Sequence, residues 1–124
     1  MKRSIPLLTV AALLAAPAAL SQGTSSTYPT KTVRMVAPFA PGGPVDLTAR
    51  IVAQKLGETF SQQFVVDNRT GASGMIGAEQ VAKSAPDGYT MLVNSSIHVI
   101  VPSLFSKMNY DPLRDFTPVS VVST

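Results

Sequence analysis

The chain has 124 residues, a formal charge of +3, one histidine and no cysteine. The lack of cysteine excludes disulfides, a thiol nucleophile and Cys-ligated zinc. Lys2 and Arg3 supply two of the three net positive charges, so the basic character is no argument for nucleic acid.

Residues 1–21 read as a secretory signal peptide. Lys2 and Arg3 form its charged start, and Ile5 to Leu20 form an apolar, Ala- and Leu-rich run. Ala19-Leu20-Ser21 offers small residues to a signal peptidase, with cleavage before Gln22; a second possible cut follows Ala16-Pro17-Ala18. The run is short for a membrane span and is interrupted by Pro6 and Pro17, so no stable membrane insertion is expected after cleavage. Residues 22–30, rich in Ser, Thr and Gly, read as a flexible leader. The remaining chain of about 100 residues suffices for one small domain that buries roughly 60–68% of its unfolded surface. The expected location is the periplasm, reached across the inner membrane.

From Lys31 the pattern alternates strand and helix. Val33–Ala37 reads as a strand and Val45–Phe60 as a helix, with Leu47, Ile51 or Val52, Leu56 and Phe60 near helical spacing. Phe64–Asp67 reads as a second strand, and Met75–Ser84 as a second helix with Ile76 and Val81 on a small apolar face. Pro86-Asp87-Gly88 is a turn, because Pro presets φ and Gly accepts φ > 0. Tyr89–Asn94 reads as a third strand, Ser95–Phe105 as a short helix broken by Pro102, and Phe116–Val122 as a fourth strand. Alternating β and α elements predict an α/β fold with a mostly parallel sheet.

Two glycine loops each follow a strand and open a helix. The first is Pro38-Phe39-Ala40-Pro41-Gly42-Gly43-Pro44, and the second runs from Asn68 to Gly77 with glycines at 71, 74 and 77. Such loops lie at the carboxyl edge of a parallel sheet, where α/β proteins bind ligands. Helix starts add free N–H groups and a positive dipole end that suit a carboxylate or phosphate. The second loop lacks the G-x-G-x-x-G order and the Gly-Lys-Ser/Thr of nucleotide sites. Ser73 reads either as a helix cap or as a hydroxyl offered to ligand. Asp46, in the first helical turn, reads either as a carboxylate complementing the dipole or as a group that positions loop amides or waters. Without a second acid or His at ligand spacing it is a poor metal site, and no cofactor or metal is expected. Arg34 is expected to point away from the core, and Arg69 to be the better candidate for a charge contact.

Asn94-Ser95-Ser96-Ile97-His98 closes the third strand on the same edge. Ser95 or Ser96 with His98 leaves a small secreted serine hydrolase open as an alternative. Against it, G-x-S-x-G is absent and sequence neighbours rarely form a nucleophile–base pair.

Separated motifs then agree with one family. Tyr28-Pro29-Thr30-Lys31-Thr32-Val33-Arg34, Pro38-Phe39 with Gly42-Gly43 and Asp46, Asn68-Arg69-x-Gly71-Ala72-x-Gly74-x-Ile76-Gly77, Pro86-Asp87-Gly88-Tyr89-Thr90, and Tyr110-Asp111-Pro112 with Asp115-Phe116 resemble the signatures of the tripartite tricarboxylate transporter substrate-binding receptors, the Bug-type extracytoplasmic receptors. The resemblance implies a periplasmic binding protein type II-like fold whose two lobes close on a small organic carboxylate, in partnership with membrane transporter subunits. By motif it implies ligand contacts at Phe39, Gly42, Gly43 and Asp46 and at Ala72, Ser73, Gly74 and Met75, with Asn94, Ser95, Ser96 and His98 carried over from the next strand end. Thr70 stands where the family commonly has proline. Members are more than twice as long, so residues 31–124 are expected to be a truncated first lobe. A non-functional remnant is the further alternative.

Overall fold

The computed structural model describes residues 27–122; the expected signal peptide and most of the expected leader lie outside them. Three parallel strands form one sheet in the order β2-β1-β3. The central strand β1, Val33–Ala37, is buried on both faces, as its Val-Arg-Met-Val-Ala run requires: Val33, Met35, Val36 and Ala37 are all core residues. β2, Phe64–Asn68, pairs with β1 from Val33↔Phe64 to Ala37↔Asn68. β3, Thr90–Leu92, pairs from Arg34↔Thr90 to Val36↔Leu92. The sheet is wholly parallel.

Helix α1 spans Pro44–Phe60. Pro44 opens it, where its missing N–H costs nothing, and Ser61 ends it in a left-handed conformation at φ 51°. α1 packs on β1 and β2, while α2, Met75–Ala82, packs on β1 and β3. Chain order moves outward from β1 to β2 and then back across β1 to β3. Right-handed crossovers therefore place the two helices on opposite faces.

The buried stripe of α1 is Asp46, Ala49 and Ala53, whereas the expected core residues Leu47 and Ile51 are 53% and 65% exposed. The reason is steric and polar together: alanines let the helix approach the sheet closely, and the bonds of Asp46 to the preceding loop fix the helix rotation. α2 is likewise seated on its small residues, Gly77 and Ala78, and Ile76 turns outward. It ends two residues before the expected Ser84, whose hydroxyl instead bonds the carbonyl of Val81 at 2.6 Å.

Helix α3, Ile97–Leu104, runs through Pro102 rather than breaking there. The ring removes one backbone donor near the end of the helix, and the Phe105 N–H still reaches the Val101 carbonyl at 3.0 Å. The expected strand over Phe116–Val122 is absent. No strand lies beside it to complete a ladder among the described residues, and Phe116 packs edge-on against His98 instead, with ring centroids 4.8 Å apart.

Candidate functional site

Parallel pairing decides where the loops go. Ala37 and Asn68 are register partners, so both glycine loops leave the sheet at one edge. The Arg69 N–H donates to the Ala37 carbonyl at 2.9 Å, and the Val93 N–H to the Val36 carbonyl at 2.9 Å. The end of β3, leading to Asn94, thus comes out at the same edge. α3 rests on the Ala72–Gly74 turn, which joins the third segment to the second loop.

In the first loop Gly42 sits at φ +81°, a conformation that glycine takes without steric cost. Gly43 precedes α1 with extended backbone and its carbonyl accepts the Leu47 N–H at 2.9 Å. Helix geometry leaves the N–H groups of Val45 and Asp46 without intrahelical acceptors. The second loop makes a left-handed turn: Gly71, Ala72, Ser73 and Gly74 all have positive φ, at 127°, 46°, 56° and 90°. Two of these are not glycine, and such strain collects at ligand-gripping turns. Gly74, not Ser73, takes the N-cap position of α2, and no side chain caps it.

The two loops touch. A Cβ built on Gly74 would stand 3.3 Å from the tip of Phe39 and 3.4 Å from Pro38. An open depression of about 490 Å³ lies over this edge, lined by Phe39, Ala40, Gly43, Pro44, Val45 and Ser95. A second depression, lined by Arg50, Ala53, Gln54, Phe64, Val65 and Val66, lies along α1 and the outer strand β2, away from the loops.

The remaining expected site residues divide by what their side chains already hold. Gly42, Ala72, Ser73, Ser95 and Ser96 are exposed, and Met75 is half-buried. Asn94 uses its Oδ1 to accept the Ser95 N–H at 2.9 Å. His98 is tied on both sides, with Nε2 3.1 Å from the Pro112 carbonyl and Nδ1 3.4 Å from the Asn94 amide nitrogen. The first bond makes Nε2 the protonated nitrogen and leaves Nδ1 as the acceptor. Stacking on Tyr110 and the edge contact to Phe116 complete a structural role for this ring.

Asp46 is 1% exposed and accepts three donors. The Gly42 N–H reaches Oδ2 at 2.8 Å, Arg50 Nε reaches Oδ2 at 2.9 Å, and Asn68 Nδ2 reaches Oδ1 at 3.0 Å. The Arg50 hydrogen bond, followed by those from Gly42 and Asn68, lowers the Asp46 carboxyl to about 2. Asn68 also donates to the Phe39 carbonyl at 3.0 Å. Asn68 enters the sequence reading only as the first residue of the second-loop motif, with no role given to it, and Arg50 does not enter it; the signal available was the polar Asp67-Asn68 end of an apolar strand start. On the other sheet face Arg34 Nε and Arg69 Nε donate to one oxygen of Asp67, at 2.8 and 3.0 Å. Arg34 Nη2 approaches that oxygen at 2.6 Å without hydrogen-bond alignment. Burial raises the Asp67 carboxyl, but the bonds from Arg69 and Arg34 outweigh it and hold it low. Arg69, expected to offer a charge contact, is engaged with Asp67.

Residues 48–124 match the model of the tripartite tricarboxylate transporter family receptor. The chain belongs to that receptor family. It is 42% identical over 119 residues to the protein BugT of Bordetella pertussis, covering 94% of this chain and 36% of BugT. Among solved structures, the periplasmic binding protein BugD is 43% identical with a TM-score of 0.70, over 73% of this chain and 30% of BugD. MatC of Rhodopseudomonas palustris, solved with bound malate, is 42% identical with a TM-score of 0.70, over 74% of this chain and 32% of MatC. The chain spans about a third of the length of these relatives. The α/β expectation and the family expectation both hold. The family is described as a receptor family and BugD as a periplasmic binding protein, and neither description supports the serine hydrolase alternative.

Proposed function

We propose that residues 31–124 form the carboxylate-gripping wall of an extracytoplasmic receptor that hands a small organic carboxylate to the membrane subunits of a tripartite tricarboxylate-type uptake system. The observation that carries this reading is the convergence of two glycine loops and the end of β3 on one sheet edge, in a family where MatC holds malate. Ala72 and Ser73, with the N–H groups of Val45 and Asp46 that open α1, offer backbone donors to the ligand. Gly42, Gly43, Gly74 and Met75, whose N–H groups are taken within the chain, shape the two turns. Phe39 and Ser95 flank the ligand, and Asn94, Ser96 and His98 support the rim. The export signal at residues 1–21, with the leader 22–30 behind it, delivers the receptor to the periplasm.

The open edge of the described residues sets the affinity of this chain. A small-molecule site normally encloses most of its ligand, and this edge is open. Each loop hydrogen bond adds about 0.5–1.5 kcal/mol net, against ~4 kcal/mol or more of lost ligand freedom. Calorimetric titration of this chain with malate and a panel of di- and tricarboxylates should therefore give millimolar binding to the dicarboxylates. Micromolar affinity would contradict the open-edge reading, and indifference to the whole panel would contradict carboxylate recognition.

A further inference from the structure

We infer that Asp46 is a positioning residue whose carboxylate, acting through Asn68, holds both glycine loops in their binding geometry without itself touching the ligand. The inference rests on the carboxylate-binding reading above and adds the part of the chain that keeps its site in shape.

Three observations lead there. First, the Asp46 carboxylate is enclosed and turned inward, with three donors from three different parts of the chain aimed at it: the loop before α1, the next turn of α1 and the last residue of β2. Second, Asn68 spends its two amide hydrogens on two acceptors, Asp46 Oδ1 and the Phe39 carbonyl, both at 3.0 Å. The first loop is thereby stitched at Phe39 and at Gly42 to one buried group. Third, the second loop lies against Phe39: a Cβ on Gly74 would stand 3.3 Å from the tip of its ring. The path from Asp46 to Asn68, Phe39 and Gly74 is therefore continuous contact, and it crosses from one loop to the other.

The chemistry of the group argues the same way. A carboxylate turned toward an anionic ligand would repel it. Buried behind the loop, the same charge orients the Gly42 N–H and anchors Arg50. A neutral isostere cannot replace it: the amide of Asn at position 46 would present N–H groups to at least one of the three donors now satisfied, leaving a buried donor unpaired.

The test uses the full chain, Asp46→Asn and two readouts. In the ligand-free protein, amide hydrogen exchange should rise about tenfold or more at Gly42, Gly43 and residues 69–74, with little change at Met35 and Val36 in the central strand. Malate titration followed by amide chemical shifts should show binding weakened by about tenfold, since a competent loop population of about a tenth raises the apparent Kd by that factor. Tighter malate binding in Asp46→Asn would overturn the inference, because it would place the charge against the ligand. Exchange that is unchanged, or that rises uniformly through the sheet, would overturn it as well. If the wild-type chain ignores malate, the carboxylate reading fails while the exchange pattern still decides the role of Asp46. If Asp46→Asn does not fold, Arg50→Met decides: this half-exposed side chain supplies one of the three donors, and its loss should loosen the same loop amides severalfold. No localised loosening in that variant would overturn the inference.

Discussion

Gly77→Val should leave the chain largely unfolded, and even Gly77→Ala should lower the melting temperature by roughly 5 °C or more. A Cβ at position 77 would lie 2.8 Å from the Arg69 carbonyl oxygen, 2.9 Å from Pro38 Cβ and 3.1 Å from Pro38 Cα. Two of those neighbours are backbone atoms at the roots of the two glycine loops, so none can swing aside as a flexible side chain would. Alanine gains about 1 kcal/mol of helix propensity over glycine. Overpacking against a fixed wall costs about 1–3 kcal/mol, so the clash outweighs the propensity gain. Valine adds two further carbons to the same gap. Thermal unfolding by circular dichroism is the check, and a Gly77→Ala protein as stable as wild type would show that α2 is free to lift off Pro38.

Acid should dismantle the same edge. The Asp46 carboxyl titrates at about 2 in the folded chain, below its ordinary 3.8. A carboxyl whose folded value is depressed contributes its full stabilisation above the unfolded value and loses it as pH falls through the folded value. Asp67 is displaced in the same direction by its two arginines. Urea midpoints should thus be flat from about pH 7 to 5, then decline steeply between about pH 4 and 2. Asp46→Asn should flatten much of that decline. A wild-type midpoint that stays level down to about pH 2 would mean that neither carboxylate is anchored as described.

How much of this was legible in the sequence depends on which physical signal carried each feature. Period-two and period-3.6 patterns with turn chemistry place β1, α1, β2, α2 and β3 within a few residues, and parallel pairing of βαβ units then brings Gly42 and Ser73 to one edge. The rotation of α1 was not legible: Leu47 and Ile51 carry more hydrophobicity than Ala49 and Ala53, yet close helix–sheet approach favours the alanines. A strand over Phe116–Val122 fits β-propensity, but a strand needs a partner, and local composition holds no record of one. The Asp46–Asn68 link spans 22 residues, and two polar residues that far apart give no local sign of meeting. The left-handed backbone at Ala72 and Ser73 was equally hidden, since neither residue favours positive φ.

If one sheet edge, built from three strand ends, receives the carboxylate as we propose, malate titrated into the isotopically labelled chain should shift backbone amides at Phe39–Asp46, at residues 69–75 and at residues 93–96, and leave the depression along Arg50, Gln54 and Phe64–Val66 silent. Shifts clustered on that second depression, or scattered without relation to the glycine loops, would contradict the proposal.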